Sequence, residues 1–87
     1  MKVCRNPDVV DTILDNEICL FVASKAEYFN LNSTASFIWK ILDKPCSPEF
    51  IISKIIETYN TSKSTCTKEV NIFIEQAIKN EILINIK

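Results

Sequence analysis

Apolar and polar residues recur with a period near two over the first third of the chain and near 3.6 from Asn32 onward. Val9-Val10-Asp11-Thr12-Ile13-Leu14 is apolar and β-branched, and Glu17-Ile18-Cys19-Leu20-Phe21-Val22 follows it. Between them Asp15-Asn16 is a pair that tolerates the left-handed backbone of a tight turn, so the two runs predict a hairpin. After a short polar turn around Ser24-Lys25, the stretch Ala26-Glu27-Tyr28-Phe29-Asn30-Leu31 supplies a third strand, bounded by the turn-prone Asn32. The region 9–31 therefore reads as a three-stranded meander.

The helical period predicts three further elements. Asn32 or Ser33 caps a helix over about 33–43, whose apolar positions Ala35, Ile38, Trp39 and Leu42 fall at i, i+3, i+4 and i+7. Asp43-Lys44-Pro45 ends it. Ser47 caps a second helix over 48–59. Pro48 stands at its first position, where a missing N–H is harmless, and Glu49 sits beside the positive end of the dipole. Ile51, Ile52, Ile55, Ile56 and Tyr59 form its buried stripe. Asn60 to Thr65 reads as a loop, and Thr65 or Thr67 caps a third helix over about 66–80. That helix carries Cys66, Val70, Phe73, Ile74, Ala77 and Ile78 on one face, with Ile72 off the stripe. The tail Ile82-Leu83-Ile84-Asn85-Ile86 is apolar, and period alone does not decide between more helix and an extended segment.

Three strands followed by three helices in 87 residues make one domain, 1–87. A three-stranded antiparallel sheet offers one face to a core, so the helices must gather on that side and the fold class is α+β. The fourteen isoleucines supply the material for a core that is marginal at this size. The two outer strands of such a sheet leave unpaired backbone groups, which proteins either blunt or offer to a partner strand.

Composition narrows the chemistry. The chain has no glycine and no histidine. A Gly-rich phosphate loop, a Ser-His-Asp or Cys-His nucleophile and the histidine-containing zinc sites are all excluded. Ten basic residues against eleven acidic ones leave a net charge of −1, unsuited to neutralising a phosphate backbone, so no nucleic-acid partner is expected. Cys4, Cys19, Cys46 and Cys66 form no C-x-x-C pair. They read as small hydrophobes filling space, not as a metal site. The start, Met1-Lys2-Val3-Cys4-Arg5-Asn6-Pro7, has no apolar run of signal or membrane-spanning length, so a cytoplasmic protein with no membrane partner is expected. No carboxylate pair has a partner that would tune its pKa for a recognisable reaction. Neither an enzyme nor a cofactor is expected.

The run Tyr28-Phe29-x-Leu31-Asn32, then Ala35, Ile38-Trp39 and Leu42-Asp43, resembles the PqqD-like family. These are RiPP recognition elements, small domains that bind the leader of ribosomally made, later modified peptides. Asn6-Pro7 and the Asp15-to-Val22 arm match upstream. Ser47-Pro48-Glu49, Ile52, Ile55, Tyr59, Val70, Phe73 and Ile82-Leu83 match downstream, so the likeness covers nearly the whole chain. Two positions depart from it: Lys44 and Glu81 stand where the family often has glycine.

The resemblance implies a winged helix-turn-helix-like domain without catalysis, which takes a precursor's leader as an added strand and hands it to a separate enzyme. That enzyme would be a leader peptidase, a cyclase or a radical enzyme, and a lasso-peptide pathway is the first choice. Carried over residue by residue, the resemblance puts the ladder on Glu27, Tyr28, Phe29, Asn30 and Leu31. It puts one cleft wall on Val70, Phe73, Ile74, Ala77 and Ile78. Lys68 and Lys79 are left as partners for acidic leader residues. Plainer readings stand beside these: Phe29 as core, Trp39 as a helix anchor, and Lys54, Glu57, Glu75 and Lys79 as a solvated face. Two other functions fit the element order. One is a winged-helix DNA-binding regulator; the other is a homodimer joined through the open edges.

Overall fold

The computed structural model describes residues 1–86. Its elements are β1 (Lys2–Arg5), β2 (Val9–Leu14), β3 (Glu17–Val22), β4 (Glu27–Leu31), α1 (Ser33–Ile41), α2 (Pro48–Tyr59), α3 (Lys63–Lys79) and β5 (Leu83–Ile86). The α+β meander-then-helices order is present. β2, β3 and β4 form an antiparallel sheet in that order, and α1 packs against β3 and β4. The chain ends add a second sheet that periodicity did not predict. β1 pairs antiparallel with β5, Val3 opposite Asn85, and Val3 also exchanges two backbone hydrogen bonds with Cys46.

The helix starts follow their caps. Asn32 Oδ1 accepts from the Ala35 N–H at 2.8 Å, and Ser47 Oγ accepts from the Phe50 N–H at 3.1 Å with Pro48 at the first turn. α3 begins earlier than the Thr65 or Thr67 cap predicted, because Ser62 Oγ accepts from the Thr65 N–H at 3.3 Å. The first turn is polar, so no apolar stripe announces it.

α3 ends in a Schellman arrangement. The Ile82 N–H donates to Ala77 O at 2.8 Å and the Glu81 N–H to Ile78 O at 3.1 Å, with Glu81 itself at φ 63°. That is the position where the family resemblance expects glycine, and the backbone is the one glycine favours. Lys44, the other departure, is not among the residues with positive φ, so its turn does not need glycine.

The core is one cluster. Ile18, Leu20 and Val22 of β3 meet Ile38, Trp39 and Leu42 from the α1 side, Ile51 and Ile55 of α2, and Val70, Ile74 and Ala77 of α3. Val3 and Leu83 close it from the second sheet. Cys46 and Cys66 are buried within it, and burial pushes both thiols above their ordinary pKa.

Register decides which backbone groups the sheet leaves free. The two-residue loop Asp15-Asn16 closes on Leu14 opposite Glu17, and in so short a hairpin that pair exchanges both hydrogen bonds. Bonded pairs then alternate. Glu17, Cys19 and Phe21 turn their N–H and C=O toward β2, while Ile18, Leu20 and Val22 turn theirs toward β4. Their partners Leu31, Phe29 and Glu27 are bonded inward. Tyr28 and Asn30 are left with N–H and C=O pointing away from β3 along the free edge of β4.

The cleft beside the β4 edge

Side chains of β4 divide between the two sheet faces. Phe29 and Leu31, opposite the buried Leu20 and Ile18, are half-buried against the core. Tyr28 and Asn30 are on the outer face, where the Tyr28 ring, 72% exposed, lies 4.7 Å from that of Phe21. The free backbone groups of the strand therefore belong to its two outward-facing residues.

Along this edge runs a cleft whose other wall is α3. Its first hollow, about 190 Å³, lies between Phe29, Leu31 and Asn32 on one side and Phe73, Gln76 and Asn80 on the other. A second hollow of about 280 Å³ continues it past the end of β4, between Thr34, Ala35 and Ile38 of α1 and Glu69, Ile72 and Phe73 of α3. Asn32, Ala35, Phe73 and Gln76 line both, so the two form one groove. Each is below the roughly 300 Å³ at which small-molecule pockets begin. The hollows suit single side chains of a chain lying across them. Larger hollows of about 460 and 520 Å³, beside Cys46 and between α2 and α3, border neither β2 nor β4.

The groove wall of α3 is the stripe Glu69, Ile72, Phe73, Gln76 and Asn80, at i, i+3, i+4, i+7 and i+11. Among the described residues, Glu69 is the one charged residue lining either hollow. Its field reaches inward as well: after burial, the Glu69 carboxylate is the further cause raising the Cys66 thiol.

A family model for coenzyme PQQ synthesis protein D (PqqD) matches residues 17–83. The chain belongs to the PqqD family. Two solved structures share the fold of this PqqD-family domain. One, TbiB1 in complex with the TbiA(beta) leader peptide, has a TM-score of 0.88 and 25% identity over 97% of this chain and 98% of the other. The second, a lasso peptide synthetase B1 complexed with the leader peptide, has a TM-score of 0.81 and 19% identity over 95% and 98%. No curated protein matches the chain.

The residues singled out from the sequence of this PqqD-family domain separate into three groups. Glu27, Tyr28, Phe29, Asn30 and Leu31 form the edge strand, and Phe73 and Ala77 line the groove. Val70 and Ile74, at 0% and 3% exposure, sit in the core and do not line the groove, because they fall on the inward side of the α3 stripe. Ile78 is half-buried against the core outside both hollows, and Lys68 and Lys79 are exposed away from them. Ile72, Gln76, Glu69 and Asn80 were missed. The signal for them was Ile72, a large apolar residue off the buried stripe and 51% exposed.

Trp39 is 2% exposed and its Nε1–H donates to Asp11 Oδ2 at 2.9 Å, so it is an anchor and not a contact surface. The Arg5 guanidinium lies 4.3 Å from the centre of its ring and donates to the Trp39 carbonyl. On α3, Lys63, Lys68 and Lys79 are partly offset by Glu69 and Glu75, leaving one net positive charge, and among the described residues the groove face carries the acid alone. That distribution removes the support for a DNA-recognition helix. Among the described residues no helix is long and apolar enough to cross a membrane.

Proposed function

We propose that this domain binds the leader of a ribosomally made precursor peptide as an added strand along β4, and presents it to a separate modifying enzyme. The observation that carries the reading is the free edge at Tyr28 and Asn30 lying directly beside the groove of Phe29, Leu31 and Phe73. In this reading the domain supplies grip and register and no reacting group. The bond-breaking step belongs to the partner, a peptidase, cyclase or radical enzyme. The leader-peptide complexes named for the two structural neighbours support this reading, and the second, a lasso peptide synthetase B1, makes a lasso-peptide system the first to test.

Energetics explain why both the edge and the groove are needed. Ordering six residues of a flexible leader costs roughly 6–12 kcal/mol, at about 1–2 per residue. Three or four backbone hydrogen bonds return about 0.5–1.5 kcal/mol each. The ladder alone does not hold. Burial of leader side chains, at about 1.5–3 kcal/mol each, must supply the remainder. Backbone bonds then set direction and register, and the hollows choose among leaders.

Calorimetric titration of the purified domain with leader peptides encoded beside its gene tests this. Micromolar or tighter binding by one of them is expected, and no affinity better than tens of micromolar for any of them defeats the reading. Phe73→Ala, which removes a wall common to both hollows, should weaken binding at least tenfold, since a buried aromatic contact is worth about 1.5–3 kcal/mol. Far-UV circular dichroism should remain that of the folded domain.

A further inference from the structure

The groove outruns the strand that borders it. β4 ends at Leu31, yet the hollow continues between the first turns of α1 and the middle of α3, where no β4 backbone is left to pair with. An occupant there is read by its side chain alone. The surface offered is mixed in a particular way: Ile72, Phe73 and Ala35 are apolar, and Glu69 stands one helical turn before Ile72. Glu69 is exposed, and among the described residues no cation lies within ion-pair distance of it. A purely apolar visitor would cover the isoleucine and leave the carboxylate facing a drier surface. An acidic one would be repelled.

We propose that this second hollow is a subsite for a lysine or arginine of the leader, placed just outside the added strand, with its methylene stem along Ile72 and Phe73 and its cation at Glu69. The inference rests on the strand-addition reading and adds the charge that the leader must carry. Long basic side chains suit such a surface because their stems bury while their heads stay hydrated. The sign is opposite to the one that contacts from Lys68 and Lys79 would give; those lysines are outside the groove.

The test uses a leader that binds, prepared with Lys, Ala or Glu at each position flanking its strand-forming segment. At one position the wild-type domain should prefer Lys over Glu by about five- to tenfold, the range for an exposed attractive pair set against a repulsive one. Glu69→Lys should reverse that preference and Glu69→Gln should bring it close to one. The preference should shrink in 1 M salt, where screening acts within about 3 Å. Ile72→Ala should weaken the Lys peptide severalfold and the Ala peptide less.

If the leader binds tightly but Glu69→Lys reverses the preference at no position, the subsite is wrong while strand addition stands. If no leader binds the wild type at all, strand addition itself has failed. Glu69 also faces the start of α1, whose first turn has no acid of its own, so thermal melts of Glu69→Gln accompany the titrations. A loss of affinity equal for all three peptides would assign Glu69 to stability and overturn the subsite.

Discussion

The sheet has two free edges, and the protein treats them differently. At β2, the groups pointing outward belong to Val9, Asp11 and Ile13, because Val10, Thr12 and Leu14 are bonded to β3. The middle of these three is a charged residue on the core side of the sheet. Asp11 Oδ2 accepts from Trp39 Nε1–H and lies 3.9 Å from Arg5 Nη1, and Pro7 and Asp8 precede the strand. Inward charge and nearby proline are the devices by which proteins discourage strand pairing. At β4 the ties lie at the two ends of the strand instead: Ser24 Oγ in the preceding turn donates to Glu81 Oε1 at 3.1 Å, Glu27 pairs with Lys25 at 3.6 Å, and Ser36 Oγ donates to the Leu31 carbonyl at 3.3 Å, while the outward-facing Tyr28 and Asn30 carry no charge. One edge is committed to holding the fold together. The other has been kept clear, with a groove beside it.

The largest effect should come from proline, which removes one outward donor without touching the opposite ladder when its position is chosen by parity. Asn30→Pro should weaken leader binding more than tenfold and leave the domain folded, while Ile13→Pro, its counterpart on β2, should change affinity less than twofold. Phe29→Pro is a different experiment. It strikes a donor bonded to β3 and should cost about 1–3 kcal/mol of stability through the orphaned partner. Titration calorimetry and thermal melts of the three variants check this. Loss of binding in Ile13→Pro with retention in Asn30→Pro would move the docking edge to β2.

The second test asks whether Asp11 serves the fold alone. Asp11→Ala strands the buried indole N–H of Trp39, an omission worth about 1–3 kcal/mol, and removes an exposed ion pair worth at most about 1 kcal/mol. A domain of this size should therefore melt about 4–30 °C lower at about 4–8 °C per kcal/mol, with leader affinity unchanged at temperatures where it is folded. A drop in affinity beyond the unfolded fraction would mean the β2 side takes part in binding.

What was legible from the sequence follows the range of the forces involved. The hairpin, the third strand and the Ser47-Pro48 helix start are local, written in neighbours a few residues apart. The β1–β5 sheet is not, since it joins Lys2 to Ile86 and each strand has four residues, too few for an alternation to register. The α3 groove wall failed for a related reason. Amphipathic period locates the face with most apolar residues, Val70 and Ile74, and that face belongs to the core. The groove-lining shoulder beside it is defined by where α1 and β4 lie, which only tertiary packing determines. Ile72 was visible as an exception without showing what it was exposed to.

The smallest expected effect concerns the clasp on the β4 side. Glu81 occupies a left-handed backbone, which costs an L-residue about 1–2 kcal/mol. Glycine there removes that strain but gains unfolded-chain entropy of about 0.4–1 kcal/mol, and it also gives up the exposed Ser24 bond. The balance favours Glu81→Gly by about 0.5 kcal/mol, or roughly 2–4 °C in melting temperature. The Asn6 Nδ2 donation to the Glu81 carbonyl, at 2.8 Å, survives because it uses backbone. The first hollow lies between β4 and the end of α3, with Asn80 and Ile82 in its lining, so the clasp also bears on how wide the groove opens at that end. If Ser24 and Glu81 merely tie the turn down, the glycine variant melts higher and binds its leader as before. If they set the groove width, the same variant melts higher and binds more weakly, and the β4 edge would then depend on a side-chain tie just as the β2 edge does.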